Sequence, residues 1–140
     1  MTRSRALRIV GVALLALVAI AIITYVAGER TEVVVLRTID TKGVPRETRM
    51  WVVDHEGVPW VRVANPERQW FQRLLVDPRA ELVRQGATRR VVPEPRDTVE
   101  ARSELDRRFR EKYGWIDWWY GVLLRRHAIP IRLDPGPGAR

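Results

Sequence analysis

The chain is poor in side chains that do covalent or metal chemistry on their own. Cysteine is absent, which excludes disulfides, thiol catalysis, iron–sulfur ligation and a lipoprotein anchor. Beyond the first eight residues the only serine is Ser103, on a charged helical stretch that offers no partner to activate a nucleophile. His55 and His127 are far apart and lack an HExxH-type companion, so no metal site is expected. Lys42 falls in a turn and Lys112 at a helix end, neither a setting for a Schiff base. There is no GxGxxG and no phosphate-binding P-loop. An enzyme built from these residues must borrow its chemistry from an organic cofactor, to which the protein lends binding, orientation and electrostatics.

The elements that would hold such a cofactor are short. Thr31–Ile39 reads as a first strand, and Thr41-Lys42-Gly43 as the turn after it. Glu47–Asp54 is rich in β-formers, with Arg49, Trp51 and Val53 alternating against Thr48, Met50 and Val52. Glu56-Gly57 turns the chain into Val58–Ala64. Asn65-Pro66 ends that strand and is expected to open a helix, whose stripe is Trp70, Phe71, Leu74 and Leu75 and whose stop is Asp77-Pro78. Ala80–Arg84 and Arg89–Pro93 pair across Gln85-Gly86-Ala87. Asp97 and Glu100 fit a capping box for a helix that buries Ala101, Leu105, Phe109 and Tyr113 and closes at Gly114. Trp115–Arg126 carries a second stripe (Trp115, Trp118, Trp119, Val122, Leu123), read as a core-covering helix, with a lipid-facing or quinone-facing wall as the alternatives. Ala128–Leu133 is the last strand, before a Pro/Gly tail. Six short strands with a few helices indicate a closed or split barrel.

Ile9–Ala27 contains no charged residue. Nineteen residues at helical rise cover about 28 Å, the thickness of a bilayer's hydrocarbon core. Arg3, Arg5 and Arg8 precede the run, which places the amino terminus in the cytoplasm and the domain outside, in a single-pass membrane protein. A cleaved secretory signal is the alternative, though the apolar run exceeds the usual length of one. The formal net charge is +8; beyond those three arginines the chain holds 22 basic against 17 acidic residues. The parts are then a basic terminus (1–8), a membrane helix (9–28), a folded domain (31–135) and a tail (136–140).

Five stretches, in order, resemble one family. They are T-K-G-V-P-R (Thr41–Arg46), M-W-V-V (Met50–Val53), W-V-R-V-A-N (Trp60–Asn65), W-F-Q-R-L-L-V-D-P-R-A-E-L (Trp70–Leu82) and R-H-A-I-P-I-R-L-D-P (Arg126–Pro135). Together they are similar to the split-barrel flavin and deazaflavin oxidoreductases, related to pyridoxamine phosphate oxidase, and above all to deazaflavin-dependent nitroreductases and quinone reductases. The resemblance implies an α+β, mainly β fold, a split β-barrel of the FMN-binding type with covering helices, and the apolar run Ile9–Ala27 sets one transmembrane helix before it. It implies FMN or a deazaflavin (coenzyme F420) as cofactor and hydride transfer to a lipophilic acceptor. Matching positions put the cofactor's phosphate among Lys42, Arg46, Arg49, Arg62, Asn65 and Arg68, with Arg62 foremost and Trp60 and Trp70 flanking the ring. No catalytic side chain is assigned. The partners expected are membrane lipid, a quinone-like small molecule and a second copy of the chain, and no nucleic acid. The alternatives are a tethered, non-enzymatic module that binds a ligand, and a structural envelope protein.

Overall fold

A computed structural model describes residues 2–30, 32–118 and 128–138. The chain forms two compact units, Met1–Thr31 and Glu32–Arg140. The first is a helix, α1 (Thr2–Arg30). Its segment Ala6–Ile23 has mean hydropathy 2.8 and is exposed throughout, a length and composition shared by membrane anchors and signal sequences.

The second unit is a seven-stranded antiparallel sheet with two described helices. Its strands are β1 (Val33–Ile39), β2 (Pro45–Trp51), β3 (Val53–His55), β4 (Val58–Val63), β5 (Ala80–Arg84), β6 (Ala87–Pro95) and β7 (Ile129–Pro135), in the order β2-β1-β5-β6-β7-β4-β3. α2 (Gln69–Val76) follows β4 and α3 (Val99–Tyr113) follows β6. Two hairpins close as expected on a residue pair with positive φ: Glu56-Gly57 (54° and 76°) and Gln85-Gly86 (50° and 79°). This is the backbone twist that two-residue loops require.

The alternation in β1 buries Val34, Leu36 and Thr38 and leaves Val33, Val35, Arg37 and Ile39 on the other face. Val34 and Leu36 join Val61, Val63, Leu82, Ile131 and Leu133 in the barrel core, onto which α2 packs Trp70, Phe71 and Leu74. A second core outside the barrel joins Val53, Val58 and Trp60 to Leu105, Phe109 and Tyr113 of α3. The helical stripe expected for α3 is thereby found, with Ala101 half-buried at its start.

Five details differ from the sequence reading. The expected strand Glu47–Asp54 is broken at Val52, because the chain leaves β1 (Val33 opposite Trp51) and joins β4 (Val53 opposite Trp60). At the break the Val52 N–H donates to the Tyr113 hydroxyl (3.1 Å), and the Lys112 ammonium donates to the Val52 carbonyl (2.8 Å). The end of α3 thus replaces the missing ladder partner. α2 starts at Gln69, not at Asn65-Pro66, since those residues form a turn with Arg68 N–H donating to the Asn65 carbonyl. Leu75 is exposed because the helix is only eight residues long and one face meets the barrel. α3 is capped by Thr98, whose hydroxyl accepts from Ala101 N–H (3.1 Å), while Asp97 pairs with Arg102 instead. Residues 115–118 are helical, with Trp115 and Trp118 exposed and Asp117 buried, so the expected buried face is reversed there. The remainder of that expected helix, including Trp119, Val122 and Leu123, lies outside the described residues, as does His127.

Candidate functional site

The β1–β2 hairpin and the segment from Glu67 to Arg79 bound an open cleft of about 1390 Å³. Asp40 shapes the hairpin side. Its carboxylate accepts from Lys42 N–H, Val44 N–H and Arg46 Nε, each at 2.9 Å. The Val44 N–H, together with the Arg46 guanidinium, holds the Asp40 carboxyl below its ordinary range. On the other side Asn65 Oδ1 accepts from Glu67 N–H (2.9 Å), and the Gln72 amide donates to the Pro66 carbonyl (2.8 Å). This fixes the turn that delivers Arg68 to the N-cap of α2.

No side chain caps α2, and its first turn holds no acidic residue. Phe71 N–H donates to the Arg68 carbonyl (3.0 Å), which leaves the N–H groups of Gln69 and Trp70 ahead of it without an intrahelical acceptor, and the helix dipole favours an anion beside them. Arg73 reaches back from α2 to donate to the fully buried Thr38 hydroxyl (2.8 Å). At the exit Arg79 forks onto Asp77 (2.6 and 2.9 Å) and, with its own backbone N–H, brings the Asp77 carboxyl down to about 2. Among the described residues Arg46 and Arg79 are thus matched by carboxylates, whereas Arg68 and Arg73 have none within ion-pair distance.

The cleft unites three of the residues expected from sequence, Arg46, Arg68 and Trp70. Trp70 is 8% exposed and forms part of the floor, edge-on to Phe71 at 6.0 Å. Lys42 and Asn65 flank it through backbone turns, and Arg49 is exposed on β2 opposite Val35. Arg62 and Trp60 are elsewhere, on the face of β4 covered by α3. The Arg62 side chain is 8% exposed, bonded to Asp117 and, at 3.0 Å, to Asp106, with its guanidinium 3.9 Å from the centre of the Phe109 ring. Burial pushes the Arg62 guanidinium below its ordinary range and the Asp117 carboxyl above its own, and each charge opposes the shift in the other. The foremost expected phosphate ligand is therefore spent inside the fold. Trp60, 6% exposed, donates its indole N–H to the His55 carbonyl (3.3 Å).

The residues that sequence reasoning passed over are Arg73, Thr38 and Asp40. Arg73 was hidden inside the apolar stripe Trp70–Leu75, three residues beyond Trp70. Asp40 carried a usable signal, an aspartate two residues before Lys42 in a Gly-containing turn. Among the described residues no group of three or more His, Asp or Glu side chains is placed to hold a metal.

No protein-family model matches the chain, and a search of curated proteins finds no significant match. Solved structures do. The heme storage protein HutZ from Vibrio cholerae is 18% identical with a TM-score of 0.58, over 82% of this chain and 89% of its own. A putative pyridoxamine 5'-phosphate oxidase from Listeria innocua is 9% identical with a TM-score of 0.57, over 80% and 90%. An F420 reductase is 16% identical with a TM-score of 0.55, over 77% and 89%. By this likeness the chain has the split-barrel fold of the pyridoxamine-oxidase-like and F420-reductase-like proteins.

Proposed function

We propose that the protein is a membrane-anchored oxidoreductase that uses FMN or a deazaflavin and passes hydride to a lipophilic acceptor such as a quinone. The observation that carries this reading is the cleft, where Arg68 and Arg73 offer guanidinium charge unmatched by carboxylate beside the open amino terminus of α2. A phosphorylated cofactor needs such a place: a dianion binds best to charge-assisted donors, and arginine's planar fork matches phosphate. The redox chemistry belongs to the cofactor. The chain's residues supply charge through Arg68 and Arg73, and an apolar floor through Trp70. α1 is the anchor in this reading, with Arg3, Arg5 and Arg8 in the cytoplasm, and a domain on the far side draws its electrons through the membrane.

The test is the absorbance spectrum of the purified full chain, followed by titration with FMN and with coenzyme F420. Arg68→Ala with Arg73→Ala should weaken binding by about two to four orders of magnitude, from about 1.5–3 kcal/mol for each charged hydrogen bond lost. Unchanged affinity removes the cleft as the site. A second reading is a tethered ligand carrier without redox activity, favoured by the fold's likeness to a heme storage protein. A heme spectrum with no affinity for either flavin decides for it.

A further inference from the structure

Three arginines that line the cleft are each held by the guanidinium Nε. Arg46 Nε donates to Asp40 (2.9 Å), Arg79 Nε to Asp77 (2.9 Å) and Arg73 Nε to the Thr38 hydroxyl (2.8 Å). The first two anchors are carboxylates and cancel the charge they hold, whereas the third is neutral. Thr38 is the polar member of the buried row Val34, Leu36, Thr38 on β1, in register with Arg46 of β2 and Ala80 of β5. A valine would meet the barrel's need for a β-branched side chain at this point equally well. The hydroxyl is what valine lacks, and among the described residues its one hydrogen bond is with Arg73.

We propose that Thr38 is a positioning residue, which fixes Arg73 so that the terminal nitrogens of its guanidinium take the phosphate end-on. The inference rests on the reading of the cleft as the site of a phosphorylated cofactor. A guanidinium grips an oxyanion from its side, through Nε and one Nη, or from its end, through both Nη groups. With Nε donated to Thr38 the side grip is closed. The end grip remains, and among the described residues Arg73 makes no other hydrogen bond. Ordering a long, freely rotating arginine opposes binding, and one already held half-buried on α2 has less freedom to lose. A carboxylate in place of Thr38 would order Arg73 too but would cancel its charge, as happens at Arg46 and Arg79. The hydroxyl orders without neutralising. Acting through Arg73, Thr38 thereby sets a preference for the phosphorylated cofactor over its phosphate-free ring system.

Thr38→Val tests this. The purified full chain in detergent is titrated with FMN and with riboflavin, which lacks the phosphate, and binding is followed by flavin fluorescence. If coenzyme F420 is the ligand, it and its phosphate-free deazaflavin core take the places of the two flavins. The wild type should bind the phosphorylated form more tightly. Thr38→Val should lower the affinity for that form about tenfold and leave the affinity for the phosphate-free form unchanged. Thr38→Ser should restore the wild-type preference. Thr38→Ala, which removes the hydroxyl without adding volume, should act like Thr38→Val. In an Arg73→Ala background Thr38→Val should change nothing further, since the threonine acts only through that arginine. Equal weakening of both forms by Thr38→Val and Thr38→Ala marks a merely structural threonine and overturns the proposal, as does a further loss in the Arg73→Ala background. If Arg73→Ala abolishes the phosphate preference and Thr38→Val keeps it, the positioning role fails while the cleft stands as the cofactor site. A wild type without preference for the phosphorylated form removes the cleft reading, and this inference with it.

Discussion

Replacing Arg62 by alanine separates a structural arginine from a cofactor ligand. The side chain is 8% exposed, its partner Asp117 likewise, and its guanidinium also bonds Asp106 and lies over Phe109. Removing it leaves Asp117 buried with its principal counter-charge gone. Breaking a buried pair from one side costs about 3–5 kcal/mol, of which a lost cation–π contact of about 2 kcal/mol is part. A domain of this size has about 5–15 kcal/mol to lose, so Arg62→Ala should remove about a fifth of it or more. The assay is urea unfolding of the full chain in detergent, followed by tryptophan fluorescence. The loss should depend on pH in a definite direction. Without Arg62, burial raises the Asp117 carboxyl further above its unfolded value, so protonation favours the folded state. Stability is then recovered as pH falls and lost as pH rises through that raised value. Arg62→Ala with Asp117→Asn should recover much of the loss and flatten the pH dependence. A loss under about 1 kcal/mol for Arg62→Ala, or a loss indifferent to pH, refutes the buried-pair account. Weakened cofactor binding at unchanged stability would return Arg62 to the ligand role expected from sequence.

Three further outcomes follow from the packing. Arg84 forks onto both Glu32 (2.6 Å) and Asp54 (2.7 Å), and together with Lys112 it brings the Glu32 carboxyl down to about 2. That stability is present above the usual glutamate value near 4.5 and lost as pH falls from there toward 2, so Arg84→Met should cost about 1–2 kcal/mol at pH 7 and flatten the acid limb of the unfolding curve. Tyr113→Phe strands the Val52 N–H in a fully buried position and should cost about 1–3 kcal/mol by the same unfolding assay. Gly136→Val puts a Cβ 3.1 Å from the Arg90 backbone, where Gly136 N–H also donates (2.9 Å), and should lower stability by about 1–3 kcal/mol in a thermal melt.

The barrel was legible because its signals are local. Val33–Ile39 is built mostly of β-branched residues, and Glu56-Gly57 and Gln85-Gly86 carry the backbone their turns need. The break at Val52 was not, since M-W-V-V-D consists mostly of strand formers and only a change of partner from β1 to β4 divides it. The fate of Arg62 was hidden for a related reason. Its two carboxylates lie 44 and 55 residues further along the chain, and no spacing near β4 reveals them. Arg46 and Arg68 were named from sequence through the family resemblance, and the cleft brings both to its lining. Arg73 was masked by the apolar residues of its own helix.

A charged row on the outer face of the sheet shows where sequence pattern stops and register begins. Glu47, Arg37, Glu81 and Arg90 are ordinary charges along the chain, separated by 10, 44 and 9 positions. Only the pairings of β2 with β1, β1 with β5, and β5 with β6 set them side by side with alternating sign. A shift of one residue in any of those ladders would send a charge to the core face and bring a valine, leucine or alanine outward. The register that buries Val34, Leu36 and Leu82 is therefore the same one that builds the row. Core burial fixes the row's geometry.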